Sequence, residues 1–236
     1  MTGFHDLHED FDQDLLERFH RDVLEVSFSP DETVALDALA ATIQGGAALV
    51  TVALGDDAEI LGGIVGDWFD EQRVLLISYL AVRPELRGQS IGTDLRGRAA
   101  TTWPSQKQAH LVVGEVHDPR VWDGVGGDQS VARLRLFERF GARLLHVPFI
   151  QPRLRPGTER VSGFLLLVFL VDDAILVGGD GGEGIPARLI GDWIRSYYAL
   201  AEGARPPYDP ELEGLLNRVE RDDTVALLPL SAAQAP

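Results

Sequence analysis

A short basic and glycine-containing segment, residues 87–92, is the part of this sequence best suited to hold a ligand. It follows an apolar run at 76–82 and reads Arg-Gly-Gln-Ser-Ile-Gly at the start of a predicted helix. The first N–H groups of a helix have no acceptor within the helix, and the helix dipole adds partial positive charge, so an anion such as a pyrophosphate is favoured there. Arg87 would add a charge-assisted contact, and Gly88 and Gly92 would let the backbone approach the ligand closely. The segment therefore predicts an anion-binding turn.

Three titratable side chains lie on or beside predicted strands and could exchange a proton. Alternation along a strand puts Glu115 and His117 on the same face. Tyr79 alternates with Ser78 and Leu80 on the strand before the turn, so it could act as an acid or contact a ligand. A structural role is open for each. Glu115 could bond neighbouring backbone or order water, His117 could be a loop histidine, and Tyr79 could be a core residue with its hydroxyl satisfied.

The hydrophobic pattern predicts the elements that would position these groups. In chain order they are helices at 12–26 and from 29–32 onward, strands at 47–54, 59–68 and 74–82, a helix from 91 to about 102, a strand at 110–116, a helix at 131–140, and strands at 143–149 and 161–171. The first three strands are separated by short turns, which indicates an antiparallel meander. The helix that begins at residue 91 is expected to end before Trp103-Pro104. This order predicts a mixed α/β domain.

A glycine run at residues 178–184 separates this domain from the rest of the chain. It has neither the Lys-Ser/Thr ending of a P-loop nor the spacing of a dinucleotide fingerprint, so its composition favours a flexible linker. Helices are predicted beyond it at 188–200 and 211–219. The predicted organisation is one domain at 1–172, followed by a linker and helical extension at 173–236. We expect residues after about 184 to be dispensable for binding at the turn, and to cover the substrate end or form a dimer contact.

Composition narrows the classes of function. The 236 residues carry a formal net charge of −16 and contain no cysteine. The negative charge opposes nucleic-acid binding, and it either attracts a cationic substrate or only maintains solubility. Without cysteine, disulfides, thiolate metal sites and a cysteine nucleophile are excluded.

We expect a cytoplasmic protein without membrane association, because no apolar run approaches the roughly 20 residues that span a bilayer and the acidic N-terminus is unlike a signal peptide. No metal site is predicted, since His5 and His8 lie in a terminus expected to be frayed.

The stretch from residue 76 to 95 resembles motif A of the GNAT superfamily, a strand ending in an L-A-V-like triplet followed by P-x-x-R-G-x-G-I-G. The matching residues are Leu80-Ala81-Val82, Pro84, Arg87-Gly88 and Ile91-Gly92. The resemblance extends in order over about residues 12–171. It includes a strand ending Glu115-Val116 and a helix ending Leu136-Phe137-Glu138-Arg139-Phe140-Gly141, which is similar to the family's L-Y-E-x-x-G. It implies the GNAT fold, a central mixed, splayed β-sheet flanked by helices.

The resemblance also implies an acyl-coenzyme A-dependent N-acyltransferase, most simply an N-acetyltransferase using acetyl-coenzyme A as cosubstrate. The pantetheine arm would pair with the backbone near Leu80 and Val82 where two strands splay apart, and a backbone N–H near Leu80 would stabilise the oxyanion. Glu115 matches a glutamate that serves as base in some members, with His117 and Tyr79 as further catalytic candidates. The residues implied to bind the coenzyme are Leu80, Ala81, Val82, Arg87, Gly88, Gln89, Ser90, Ile91, Gly92 and Thr93.

Two positions depart from the family pattern. Ser90 replaces the first motif glycine and adds a side chain beside the pyrophosphate. Phe137 stands where many members carry a tyrosine that protonates the leaving thiolate, and phenylalanine has no proton to give. An alternative is therefore a non-catalytic domain that binds an acyl-coenzyme A as a sensor or scaffold.

The expected partner is a small-molecule or peptide amine, which could be cationic, and the expected oligomeric state is a monomer or homodimer. Trp68, Phe69 and Trp122 are either aromatic walls for this substrate or ordinary packing residues.

Overall fold

The computed structural model describes residues 2–121, 127–179, 182–203 and 209–231, with the side chains of 127–130 and 179 excepted. These residues form two compact units. The first contains the chain up to Ala109 together with Leu154–Thr158, and the second contains the described parts of the remainder. Strands pair antiparallel in each unit and helices pack beside them. This is the mixed α/β class that the sequence predicts.

The first unit is a four-stranded meander in the order β1-β2-β3-β4. Its elements are β1 (Gly3–Asp6), α1 (Gln13–Phe19), a π-helical turn (His20–Leu24), α2 (Glu25–Ser27), α3 (Leu36–Gln44), β2 (Ala48–Leu54), β3 (Ile60–Phe69), β4 (Val74–Val82), a 3-10 turn (Pro84–Leu86) and α4 (Ile91–Lys107). The side chain of Asp12 accepts a hydrogen bond from the Leu15 amide and begins α1, as the apolar stripe that follows it predicts.

Helices cover both faces of this meander, and two glycines of β3 make the close approach possible. A Cβ at Gly63 would come within 2.5 Å of the Phe19 ring of α1, and a Cβ at Gly66 within 2.9 Å of the Trp103 ring of α4. Phe19 and Trp103 are almost fully buried. Because residues 63 and 66 point to opposite faces of the strand, the sheet is enclosed on both sides.

The second unit pairs its strands in the order β5-β9-β6-β12-β11-β10. Its elements are β5 (Leu111–His117), α5 (Gly127–Arg139), β6 (Arg143–Leu145), the short pair β7 (Ile150–Gln151) and β8 (Val161–Ser162), β9 (Phe164–Val171), β10 (Val177–Gly179), β11 (Gly182–Pro186), α6 (Ala187–Glu202), α7 (Pro210–Val219) and β12 (Thr224–Pro229). One core cluster joins Val116 of β5, Leu134 and Phe137 of α5, and Leu165 of β9. Buried Trp193 of α6 forms a second aromatic core with Phe149 and Tyr197.

Most predicted elements are confirmed, including the meander, the helix before Gly141 and both helices of the C-terminal extension. Three predictions about boundaries are wrong. The second helix begins at Leu36 rather than at 29–32. The helix expected to stop before Trp103 continues to Lys107 with Pro104 inside it, because its last turn buries Trp103. The strand predicted at 143–149 ends at Leu145.

The predicted frayed N-terminus and flexible glycine linker are also wrong. Residues Gly3–Asp6 pair with β2, and the Asp6 carboxylate accepts a hydrogen bond from Thr51 Oγ1 at 2.5 Å. The glycine run forms the paired strands β10 and β11, apart from residues 180 and 181, which lie outside the described residues. β12, which the sequence did not predict, lies between β6 and β11. The predicted boundary after residue 172 therefore falls inside the second compact unit, and a separate extension stays a prediction.

Among the described residues, no helix is both long and apolar enough to cross a membrane.

Candidate functional site

The turn between β4 and α4 has the backbone geometry of an anion site. After the Pro84–Leu86 turn, Gly88 has a φ of 84° and Ser90 a φ of 65°, so both lie in the left-handed region. The helix then begins at Ile91, with the Asp94 amide donating to the Ser90 carbonyl at 2.9 Å. Left-handed residues directly before a helix turn successive N–H groups toward one side, which makes a concave donor surface.

The first turn of α4 keeps its donors available for a ligand. Ser90 occupies the N-cap position, yet its side chain makes no capping hydrogen bond. The amides of Ile91, Gly92 and Thr93 belong to the helix end that has no acceptors within the helix. Gln89, Ser90 and Thr93 are exposed, so an anion can reach these groups from solvent. The turn and the helix start that the sequence predicts are therefore present, and anion binding there stays a prediction.

Arg87 is the cation available to this turn. Its side chain is exposed, and its Nε donates to the Val82 carbonyl at 3.3 Å, which holds the guanidinium at the end of β4. The neighbouring Arg83 is instead paired with Glu59 at 2.6 Å and Glu85 at 2.5 Å. No carboxylate of the described residues forms a salt bridge with Arg87. Its charge is therefore free to meet a phosphate.

The three predicted coenzyme residues of β4 lie at the end of that strand. Leu80 pairs with Ile64, Ala81 with Gly63 and Val82 with Gly62. Ala81 is buried in the core beside α1, whereas Leu80 and Val82 are half-buried. Their contact with a pantetheine arm, and the splay of the strands that carry Leu80 and Glu115, stay predictions.

A β-bulge in the middle of β4 brings together a serine and a carboxylate that the sequence did not single out. The register passes from Val65 opposite Tyr79 to Gly66 opposite Ile77, so Ser78 is the additional residue. The Ser78 hydroxyl donates to the Asp67 carboxylate. Burial raises the pKa of Asp67 to about 6, and the Ser78 hydrogen bond opposes that rise. Asp67 is thus a possible proton acceptor near neutral pH.

Tyr79 lies in the core between β4 and the helices of the first unit. Its hydroxyl donates to the Glu32 carbonyl and accepts from the Val34 amide, both at 2.9 Å. Its ring packs edge-on against Phe28 with centroids 5.1 Å apart. These contacts favour the structural alternative for Tyr79, since the hydroxyl already holds the segment before α3.

Glu115 and His117 share one face of β5, as alternation predicts. Both are half-buried, while Val116 between them is buried in the core that contains Phe137. Glu115 Oε2 accepts a hydrogen bond from Gln151 Nε2 at 2.5 Å. The His117 ring lies against Phe164 with centroids 4.6 Å apart. The structure therefore places a half-buried carboxylate and an imidazole side by side, both able to exchange protons.

Phe137, the residue that departs from the family pattern, is a core side chain. It is buried and packs edge-to-face on Phe169 with centroids 5.2 Å apart. Of the aromatic residues that could line a substrate site, Trp68 and Phe69 are buried, which favours ordinary packing. Trp122 lies outside the described residues.

Replacing Ser90 with glycine should leave stability unchanged or raise it by up to about 1 kcal/mol. A left-handed non-glycine residue costs about 1–2 kcal/mol, and the greater freedom of glycine in the unfolded chain offsets about half to one kcal/mol of the gain. Thermal unfolding measures the effect. The adjacent Gln89→Gly variant is the control, because Gln89 does not have a positive φ and should only be destabilised. A clear loss of stability in Ser90→Gly would contradict the strain argument.

Comparison with known proteins concerns the family and the fold. A model of the acetyltransferase (GNAT) family matches residues 5–118. A structure described as a GNAT-family acetyltransferase from Bacteroides thetaiotaomicron is similar at 19% identity and a TM-score of 0.59, covering 86% of this chain and 99% of that one. NAA60 of Arabidopsis thaliana, in complex with a bisubstrate analogue, is similar at 15% identity and a TM-score of 0.51, covering 72% and 98%. No curated protein sequence matches the chain. At these identities the structural likeness concerns the fold.

Proposed function

Because residues 5–118 match a model of the acetyltransferase (GNAT) family, we propose that the chain is an N-acetyltransferase that moves the acetyl group of acetyl-coenzyme A directly to a primary amine. The observation that carries this proposal is the turn at Arg87–Gly92, where an unpaired cation, two left-handed residues and an uncapped helix start coincide. Members of this family use acetyl-coenzyme A as the acyl donor, which supplies an activated thioester.

The residues of the turn fit the diphosphate of that donor. The Arg87 guanidinium and the amides of Ile91 and Gly92 are donors, and a phosphate accepts several hydrogen bonds at once. A Cβ at Gly88 would meet no atom within 4 Å, so its left-handed φ rather than crowding explains the glycine. The other predicted coenzyme residues, Leu80 to Val82 and Gln89 to Thr93, lie on the strand end and the turn that lead to this point.

The composition and Glu115 support direct transfer over a covalent acyl-cysteine intermediate. The chain has no cysteine, so no acyl-cysteine can form. The amine nitrogen bonds to the carbonyl carbon, the carbon–sulfur bond breaks, and the coenzyme A thiolate leaves. The amine proton passes to the Glu115 carboxylate, with His117 as the alternative acceptor. A backbone N–H near Leu80 would stabilise negative charge on the carbonyl oxygen.

A second candidate function is a non-catalytic acyl-coenzyme A sensor, which the buried Phe137 favours because it offers no proton for the thiolate. Release of free coenzyme A over a panel of amines separates the two functions. Turnover with any amine identifies the enzyme. Binding of acetyl-coenzyme A without turnover across small amines, polyamines, amino acids and peptide N-termini identifies the sensor.

A cytoplasmic location, a cationic acceptor and a monomeric or homodimeric state are parts of the proposal.

Arg87→Ala should weaken acetyl-coenzyme A binding by about 1.5–3 kcal/mol, because a charge-assisted hydrogen bond to phosphate is lost. Isothermal titration calorimetry measures the change in Kd. Arg188→Ala is the matched control, since it removes the same charge from a side chain that is 93% exposed in the second unit. Equal affinities for Arg87→Ala and the wild type would remove Arg87 from the coenzyme site.

A further inference from the structure

Gln151 is a buried glutamine whose amide NH₂ group donates a hydrogen bond and whose amide oxygen has no donor among the residues that the structure describes. The residue lies in β7 and is only 7% exposed. Its Nε2 donates to Glu115, whereas its Oε1 is buried and accepts no hydrogen bond from the residues that the structure describes. A buried acceptor without a donor is costly, so a donor supplied by a ligand would be bound with a corresponding gain.

The orientation of this amide follows from its neighbour. An ionised carboxylate only accepts hydrogen bonds, so the NH₂ group must face Glu115 and the oxygen must face away. The backbone of β7 is fixed independently. Tyr198 Oη donates to the Ile150 carbonyl at 2.8 Å, and Gln151 pairs with Val161 of β8. The amide oxygen is therefore held in place, on the same amide group that contacts the carboxylate, before any substrate arrives.

We propose that Gln151 Oε1 binds the acceptor nitrogen and selects primary over secondary amines, an inference that rests on the proposed role of Glu115 as the base. A neutral primary amine carries two hydrogens on its nitrogen. One leaves as the proton taken by Glu115, and the other donates to Gln151 Oε1 while the nitrogen–carbon bond forms and the carbon–sulfur bond breaks. A neutral secondary amine has a single N–H, which the base removes, so the amide oxygen stays without a donor. A site built to bond an N–H rejects the analogue that lacks it.

The test compares an accepted primary amine with its N-methyl derivative in the wild type and in Gln151→Met, which keeps the length of the side chain and removes the amide. We expect kcat/KM for the primary amine to fall by about 10- to 100-fold in Gln151→Met. For the N-methyl amine we expect a smaller fall, because only the contact to Glu115 is lost, and the preference for the primary amine should shrink by about tenfold. The Kd for acetyl-coenzyme A should stay within about twofold of wild type, since Gln151 contacts the carboxylate and not the anion-binding turn.

Gln13→Met, at an exposed position of α1, is the control for the substitution itself and should change neither quantity. The inference is overturned if Gln151→Met prefers the primary amine over the N-methyl amine as strongly as the wild type does, whether kcat/KM falls equally for both amines or for neither. Such a preference would be steric, because it survives loss of the amide. This outcome would leave the proposed function intact. If Gln151→Met does not fold, wild-type enzyme that uses the two amines equally well overturns it. Wild-type protein that turns over no amine overturns the proposed function and the inference together.

Discussion

Glu115→Gln should lower kcat by about 10²–10⁴-fold with acetyl-coenzyme A affinity nearly unchanged, the largest catalytic effect expected for a single substitution in this chain. Glutamine keeps the length of the side chain and one acceptor oxygen, so it can still accept the hydrogen bond from Gln151 Nε2. It has no basic oxygen to take the amine proton. The loss should therefore appear in kcat, while the affinity for the coenzyme, which we propose to bind at the turn of residues 87–92, should stay as it is in the wild type.

Coenzyme A release measured over pH 6 to 9, beside calorimetry with acetyl-coenzyme A, tests this expectation. Glu138→Gln is the matched control, because Glu138 is an exposed carboxylate in the same unit. Wild-type kcat in Glu115→Gln across that range would show that the proton goes elsewhere. His117 on the same face of β5 is then the next candidate, and Asp67, whose pKa burial raises to about 6, is the candidate on β3.

The turn at residues 84–90 and the helix start after it could be predicted because their information is local. The order strand, proline turn, Arg87, glycine and helix start is written in consecutive residues, and the uncapped helix beginning at Ile91 follows from that order. The same holds for Glu115 and His117, since alternation along one strand requires no knowledge of its partners. The roles of these residues in catalysis stay predictions.

The features that could not be predicted depend on contacts between distant segments. Gln151 meets Glu115 across 36 positions, and nothing in its neighbourhood marks it. The glycine run at 178–184 has the composition of a linker, yet it becomes a strand because Gly184 pairs with Ala226 of β12. β1 was missed for the same reason, since Asp6 bonds to Thr51. Asp67 did carry a signal: it is an acidic residue inside the apolar strand Ile60–Phe69.

Pairing of β12 with β6 also changes what is expected of the C-terminal segment. Trp193 and Tyr198 of α6 are fully buried, and Tyr198 anchors the strand that carries Gln151. Removing the chain after Gly182 would delete these aromatic side chains from the core and leave the edge of β6 without its partner. The segment predicted to be dispensable is thus part of the core of the second unit.

Arg160→Met should destabilise this unit by about 3–5 kcal/mol at neutral pH, because it leaves Asp209 without its ion-pair partner and leaves buried Glu202 with Arg153 alone. The Arg160 guanidinium is 11% exposed and bonds to Glu202 at 2.7 Å, to Asp209 at 2.5 Å and to Glu211 at 2.9 Å. It also stacks over the Tyr198 ring at 4.9 Å. One side chain therefore joins the segment before β8 to the end of α6 and the N-cap of α7, and methionine can replace only its apolar stem.

The destabilisation should shrink as the pH falls, and the sign follows from the carboxylates. Burial alone would raise the pKa of Glu202, but hydrogen bonds from Arg160 and Arg153 lower it to about 2. The hydrogen bond from Arg160 likewise lowers the pKa of Asp209 to about 2. A carboxylate whose pKa is lower in the folded state than its unfolded value of about 4 stabilises the protein at pH values above about 4. This stabilisation is lost as the pH falls from about 4 toward about 2.

Urea unfolding from pH 7 to pH 2, followed by tryptophan fluorescence and circular dichroism, measures the difference between Arg160→Met and the wild type. Arg188→Met, which removes a guanidinium that is 93% exposed, is the control and should cost less than about 0.5 kcal/mol at every pH. The wild type should lose stability between pH 5 and 2 more steeply than Arg160→Met, so the two curves converge at low pH. Parallel curves, or a loss at pH 7 no larger than that of the control, would mean that Arg160 contributes packing area alone and that its ion pairs do not hold α6 and α7 in place.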